Sequence, residues 1–246
     1  MSSLLEIRNL HIQHAGRTLV EGVNVTVEPG QVTALMGPSG SGKTLSARAC
    51  MGQIDRGLRL LSGSLRYPGI KDPTLAAKDW FGPVVGQGDD ANQKLLQETS
   101  ALRGAYMSYS PQLASSALNP SRTIGAQLAL AIGRRVDAPA DLAQAIRESL
   151  KEVGLPEYCS KSLPSALSGG MCQRAALAIA VAPQPLLVIA DEPETGLDPV
   201  LTRAVTELLL AVCVNRGCGL LLISHQDETV ERIGASIVRT RPEKSS

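Results

Sequence analysis

The sequence predicts an α/β fold built on a largely parallel sheet with helices on both faces. Two observations carry this. Short apolar runs at residues 32–36, 186–190 and 220–224 have the length and composition of buried strands. They alternate with segments of helical character at residues 43–53, 168–182 and 200–216, the order that places helices over a parallel sheet. No repeat of solenoid period runs along the chain, so a repeat architecture is not indicated.

The first thirty residues predict short strands joined by turns. Leu5 and Ile7, then Leu10 and Ile12 beyond Asn9, alternate imperfectly. Val23, Val25 and Val27 alternate cleanly, as a strand with one buried face does. Glu28-Pro29-Gly30 is a turn signal. Residues 58–100 are weakly patterned, carry glycines, prolines and the pair Asp89-Asp90, and predict strand fragments with an inserted surface loop. Residues 124–153 have helical character interrupted at Gly133 and at Asp137-Ala138-Pro139. Pro183 stops the helix over 168–182, and the polar residues 239–246 predict a frayed end.

A chain of 246 residues with 43% hydrophobic content can bury a sizeable core. Aromatic residues are only 2%, which argues against stacking platforms for single-stranded nucleic acid. The 24 basic and 23 acidic side chains leave a net charge of +1, so no bulk attraction to nucleic acid is expected. Cys50, Cys159, Cys172, Cys213 and Cys218 form no CxxC pair and are odd in number. They suggest reduced thiols rather than a disulfide framework or a zinc site. The start, Met-Ser-Ser-Leu-Leu-Glu-Ile-Arg, lacks the basic and long apolar regions of a signal peptide. The apolar runs at 175–182 and 208–214 are well short of the ~18 residues that span a bilayer. Membrane association is expected through a partner.

The chemistry begins at residues 37–44. Gly37, Pro38, Ser39, Gly40, Ser41, Gly42, Lys43 and Thr44 fit GxxxxGK[ST] in full, between an apolar strand and a helix. Glycines let successive backbone N–H groups turn inward around phosphate oxygens. The helix start adds partial positive charge. Lys43 can reach the β- and γ-phosphates, and the Thr44 hydroxyl can ligate Mg²⁺. A glycine-rich turn with a surface lysine is the bland alternative, and the strand–loop–helix context disfavours it.

Asp191 and Glu192 end the apolar run at 186–190. Carboxyl ends of strands in such sheets are where ligands sit. Asp191 is expected to hold Mg²⁺ directly or through water, and Glu192 to polarise the attacking water as general base. Alone, the pair reads as a solvated strand end; beside a phosphate loop it reads as a Walker B motif.

Many NTPases share those two motifs. Leu167-Ser168-Gly169-Gly170-Met171-Cys172-Gln173-Arg174 discriminates among them, because it resembles the LSGGQ signature of ABC ATPases. Ser168 with Gly169 and Gly170 makes a second anion-binding helix start. On these motifs and their order, residues 5–239 resemble the ABC ATPase family. The resemblance implies a P-loop NTPase ABC ATPase core with an N-terminal antiparallel β subdomain and an inserted α-helical subdomain. Residues 1–246 are then one ABC ATPase domain, with 1–110 and 175–246 as the ATP-binding core and about 111–174 as the helical, signature-bearing part. It also implies ATP and Mg²⁺ as ligands. Gln112 takes the place of the Q-loop glutamine that senses Mg²⁺ and water, in a region that contacts membrane subunits. Thr195-Gly196-Leu197-Asp198 resembles the D-loop, His225 the switch histidine at the γ-phosphate, and Ser168, Gly169, Gly170 and Gln173 face the partner's ATP. His14 falls where the family has an aromatic residue stacked on adenine.

Such subunits pair so that one phosphate loop and the partner's signature enclose each ATP. The resemblance therefore implies a second ATP-binding subunit, as a heterodimer or a homodimer, two membrane-spanning permease subunits and a substrate-binding protein, with no nucleic acid. The location implied is peripheral, on the cytoplasmic face of the cell (inner) membrane. Leu102-Arg103-Gly104, Ala117-Leu118-Asn119-Pro120 and the Gly-Gly-Met-x-Gln-Arg signature look like the dipeptide, oligopeptide and nickel importer group. Pro111, Glu194 and Gln226 depart from the usual pattern. The chain stops soon after Val238, which leans toward the nickel or metal-chelate branch over peptides. A soluble ABC ATPase of DNA repair or translation is the alternative, disfavoured by the single motif set. A non-hydrolysing half-site is disfavoured by Glu192 and His225.

Overall fold

The structure is a computed structural model that describes residues 2–112, 117–137, 139–193, 199–225, 230–231 and 234–240. The chain divides into two compact units, Met1–Arg103 with Gly219–Ser246, and Gly104–Cys218.

In the first unit, β1 (Leu5–His14) and β2 (Arg17–Val27) form an antiparallel hairpin. After β3 (Val32–Met36) and α1 (Lys43–Ala49), the chain returns as β4 (Leu58–Arg66), and the antiparallel sheet has the order β2-β1-β4. The imperfect alternation in β1 has a structural cause. Between Ile7 and Leu10 the register against β2 slips by one residue, and Asn9 takes a left-handed conformation with φ 50°. This bulge absorbs the extra residue. Leu5, Ile7, Leu10 and Ile12 therefore all face inward and are buried, opposite Val27, Val25, Val23 and Val20.

A separate parallel set is formed by β3, β7 (Gly219–Ser224) and β8 (Ser236–Arg239), with β3 between the other two. Gly219 sits where no side chain fits. A Cβ there would lie 2.8 Å from both Leu4 Cδ1 and Val27 Cγ1 and 2.9 Å from the Glu28 carbonyl oxygen. Residues 239 and 240, expected in a frayed end, are instead held in the fold, with Arg239 ending β8. Thr240 is buried, and its N–H donates to the Met36 oxygen at 2.7 Å.

Residues 58–100 also differ from the expected strand fragments and surface loop. β4 is a full strand, followed by α2 (Pro73–Ala77) and α3 (Asp89–Glu98). Few local signals announce this segment because its stability is tertiary. Tyr67 and Phe81 are fully buried, and the Tyr67 hydroxyl donates to the Cys50 carbonyl at 2.9 Å. Trp80 meets Tyr67 edge-on with ring centroids 6.0 Å apart, and the Lys78 ammonium lies 4.0 Å from the Trp80 ring. Arg103 closes the segment by donating to the carbonyls of Leu96 and Met51 and to the Thr99 hydroxyl.

In the second unit, β5 (Met107–Ser110) pairs in parallel with β6 (Leu187–Asp191). Among the described residues they are accompanied by α4 (Ile124–Ile132), α5 (Leu142–Glu152), α6 (Gly169–Val181) and α7 (Pro199–Arg216). The first two are capped by Thr123 and Asp141, whose side chains accept from Ala126 N and Gln144 N. The break predicted near Gly133 separates them. In α6, Ala175, Ala176, Ala178 and Ala180 are buried, and these small side chains let the helix lie close against β5. The Arg216 guanidinium ties α7 to α5 and α6 by pairing with the Glu152 carboxylate and donating to the Val181 carbonyl. Among the described residues, no helix is long and apolar enough to cross a membrane.

Candidate functional site

In the first unit, the loop after β3 has the backbone its glycines predict. Gly37, Gly40 and Gly42 have φ of 156°, 79° and 80°. Gly42 is also required by space, because a Cβ would lie 2.5 Å from the Leu19 carbonyl oxygen and 2.6 Å from Val20 Cγ2. Lys43 is only 5% exposed, and its ammonium folds back over the loop to donate to the carbonyls of Gly37 at 3.0 Å and Pro38 at 3.1 Å. Thr44 is half-buried beside it.

Thr240 was not signalled by any motif, yet it anchors this loop. Its Oγ1 and Ser41 Oγ share a hydrogen bond at 2.6 Å, and the hydroxyl that does not donate in it is free to donate to its own carbonyl, Met36 for Thr240 or Pro38 for Ser41. The contact joins residues 199 positions apart, so no local pattern reveals it.

His225 follows β7 and is exposed. Met36 and Ser224 are register partners in parallel strands, so Gly37 and His225 leave neighbouring strands at the same end. His14 ends β1 opposite Arg17 at the hairpin, and Leu19 and Val20, further along β2, back onto Gly42. His14 Nδ1 lies 3.0 Å from the Gly57 carbonyl oxygen. A carbonyl only accepts, so Nδ1 carries the proton.

The second unit assembles the acidic pair. Ser110 and Ala190 are register partners, so Pro111-Gln112 and Asp191-Glu192 leave β5 and β6 at the same end. Gln112 Nε2 donates to Glu192 Oε2 at 2.9 Å. The Tyr109 hydroxyl, unremarked in the sequence, donates to Asp191 Oδ2 at 2.8 Å. Asp191 is buried and Glu192 half-buried. Glu192 has a left-handed φ of 44°, a conformation costing a side-chain-bearing residue about 1–3 kcal/mol. Strain of this kind concentrates at functional sites.

Ser168 caps α6 by accepting from Met171 N at 3.4 Å, and Ser168 and Gly169 are exposed. A Cβ on Gly169 would meet nothing within 4 Å. Gln173 turns the other way. It is buried, and its Nε2 donates to the Pro193 carbonyl at 2.7 Å, tying α6 to the residue after Glu192. Asp198 lies outside the described residues.

Of the donors expected from the sequence for Mg²⁺, the Thr44 hydroxyl lies in the first unit and the Asp191 carboxylate and Gln112 amide oxygen in the second. All are hard oxygen ligands, the chemistry Mg²⁺ selects. Gln112 makes its bond to Glu192 through nitrogen, which leaves oxygen as the acceptor end of its amide.

A phosphate loop between strand and helix, with an acid pair ending a parallel strand and a serine-glycine helix start, defines a P-loop nucleotide-binding cassette. Residues 20–195 match the family described as ABC transporter, and the chain belongs to that family. It is similar to the oligopeptide transport ATP-binding protein OppD of Mycobacterium tuberculosis, 35% identical over 234 residues, which are 92% of this chain and 35% of that protein. The dipeptide transport ATP-binding protein DppD of Escherichia coli is 33% identical over 222 residues, 89% of this chain and 62% of its own length. The chain thus spans less than two thirds of either relative. Its fold is that of the ATP-binding cassette MJ0796, solved as a dimer bound to ADP and Pi. The TM-score is 0.72 at 23% identity, covering 98% of this chain and 97% of that one. It is equally that of cbiO1 from Clostridium perfringens, with TM-score 0.73 at 20% identity, covering 98% and 88%.

Proposed function

We propose that the chain is the ATP-hydrolysing subunit of an importer for dipeptides or oligopeptides. The observation that carries the catalytic part is the Gln112–Glu192 hydrogen bond: a candidate base held by its orienting partner at the end of a parallel strand. The cargo follows the two relatives named above, both peptide-transport ATP-binding proteins. The metal-chelate branch leaned on the chain's short ending alone, and neither of those relatives is named for it.

In this mechanism Lys43 exchanges its two loop carbonyls for β- and γ-phosphate oxygens. Backbone N–H groups of residues 37–44 cradle the phosphates, and His14 packs on the base. Thr44 and Asp191 hold Mg²⁺, which when bound neutralises charge on the phosphates. Gln112 orients the attacking water and Glu192 takes its proton. His225 contacts the γ-phosphate from the strand beside the loop. Gln173, through the Pro193 carbonyl, fixes the segment carrying Glu192. Ser168, Gly169 and Gly170 face the ATP of a second ATP-binding subunit, and the open space at Gly169 supports that role. Asp198 completes the contact as the D-loop. Residues 111–174 form the helical part that meets two permease subunits at the cytoplasmic face of the membrane, with a substrate-binding protein supplying cargo.

Tyr109→Phe tests how Asp191 is held. The variant keeps the ring and removes a hydrogen bond to a charged group worth about 1.5–3 kcal/mol. ATP turnover is expected to fall roughly tenfold or more and to require a higher Mg²⁺ concentration for half-maximal rate. An unchanged Mg²⁺ dependence would separate Tyr109 from the site.

Reconstitution with the permease and binding proteins encoded beside this chain tests the cargo. ATP hydrolysis is expected to rise when dipeptides or oligopeptides are added, and not with nickel or a nickel chelate. Stimulation by the metal alone would overturn the peptide assignment and leave the ATPase intact.

A further inference from the structure

The C-terminal end of α7 closes as a Schellman motif. Gly217, with φ 64°, supplies the left-handed residue. Its N–H donates to the Val214 carbonyl at 3.0 Å, and the Cys218 N–H donates to the Cys213 carbonyl at 3.1 Å. In this motif the side chains at the two ends of the longer bond meet, and the contact is ordinarily apolar. Here those two positions are Cys213 and Cys218.

Both cysteines are buried, at 1% and 4% exposure. Cys218 Sγ donates to the Cys213 carbonyl oxygen at 3.4 Å, which places the Cys218 sulfur against the residue that starts the longer bond. The interaction of each thiol with the other raises the Cys213 thiol and holds Cys218 below the ordinary thiol range. Burial pushes Cys50, Cys159 and Cys172 the other way, so Cys218 is the cysteine whose thiol is shifted toward the nucleophilic form. An amide of one residue bonded to the carbonyl of the other keeps their Cα atoms within reach of the ~4.4–6.8 Å that disulfides span. The proposed ATPase mechanism uses neither residue.

We propose that Cys213 and Cys218 form a dithiol site that closes to an intramolecular disulfide by exchange with a low-molecular-weight disulfide. The Cys218 thiolate attacks one sulfur of the small disulfide, breaking its S–S bond and releasing one small thiolate, which takes up a proton. The Cys213 sulfur, its proton passed to water, then attacks Cys218 Sγ of the mixed disulfide, and the second small thiolate leaves and is protonated. The protein loses two electrons and two protons, and the small disulfide becomes two thiols. Access comes through fraying of the last helical turn, the least stable part of a helix. The cross-link pins the turn that ends α7. In a reducing compartment the pair stays open, and it closes under disulfide stress.

Arg216 lies between the two cysteines, which makes the test direct. The folded chain is incubated with oxidised glutathione, alkylated and digested with trypsin. The fragments 204–216 and 217–232 are expected to stay joined and to separate on reduction, with the titratable thiol count lower by two. Cys213→Ala is expected to leave glutathione on Cys218, trapping the intermediate. Recovery of both fragments singly alkylated would overturn the proposal. So would pairing of Cys218 with Cys50, Cys159 or Cys172, or a cross-link that forms only in the urea-unfolded chain.

Discussion

Glu192→Gln is expected to bind ATP normally and to hydrolyse it about 10²–10⁴-fold more slowly, the usual contribution of a positioned general base. The substitution is isosteric. Gln112 Nε2 donates to Glu192 Oε2, and the new side chain keeps an oxygen to accept that bond, so the local geometry has no reason to move. The left-handed backbone at residue 192 is equally accessible to either side chain. What disappears is the carboxylate that takes a proton from water. With hydrolysis blocked, ATP should hold two copies, or this chain and its partner ATPase, in a closed dimer. Single-turnover hydrolysis and gel filtration with ATP measure both effects. Hydrolysis at the parent rate would remove Glu192 from the role of base.

Lys43→Ala is expected to weaken ATP binding by at least tenfold and to abolish measurable turnover. A charge-assisted hydrogen bond contributes about 1.5–3 kcal/mol, and each 1.36 kcal/mol is a factor of ten. Lys43 is buried with its ammonium on the Gly37 and Pro38 carbonyls, so it is already positioned inside the loop before nucleotide arrives. Lys43→Arg should not restore function, because the planar guanidinium does not fit a space shaped around a point charge. Calorimetric titration with ATP measures the binding loss. Unchanged affinity in Lys43→Ala would mean that residues 37–44 do not cradle the phosphates.

The phosphate loop was legible because its motif residues are local, although Thr240 and Leu19 also brace it from far along the chain. Its glycines, its lysine and the strand and helix around it fall within residues 32–49, and the positive φ values follow from residue type alone. The acidic pair and the Ser168 cap were legible for the same reason. The irregular pattern of β1 was visible too, but its meaning required the bulge at Asn9 that keeps all four apolar residues inward. Residues 58–100 are weakly patterned because their hold on the fold comes from the buried Tyr67 and Phe81 and the Tyr67–Trp80 ring contact, and helix α3 buries little of its own surface.

The sequence by itself determined the α/β class and the family, and it marked the residues proposed as phosphate loop, Walker acids and signature. Short-range geometry and hydrophobic periodicity are written in neighbouring residues, and these features consist of nothing else. Only the tertiary structure decided that Tyr109 holds Asp191, that Thr240 anchors Ser41, that Gln173 turns inward to Pro193, and that Cys213 meets Cys218 across a helix end. The first three are contacts between side chains and groups on separate elements, fixed by strand register and helix packing that no window of sequence contains. The fourth spans five residues, yet it depends on Gly217 reversing the chain, a turn whose conformation only the folded backbone discloses.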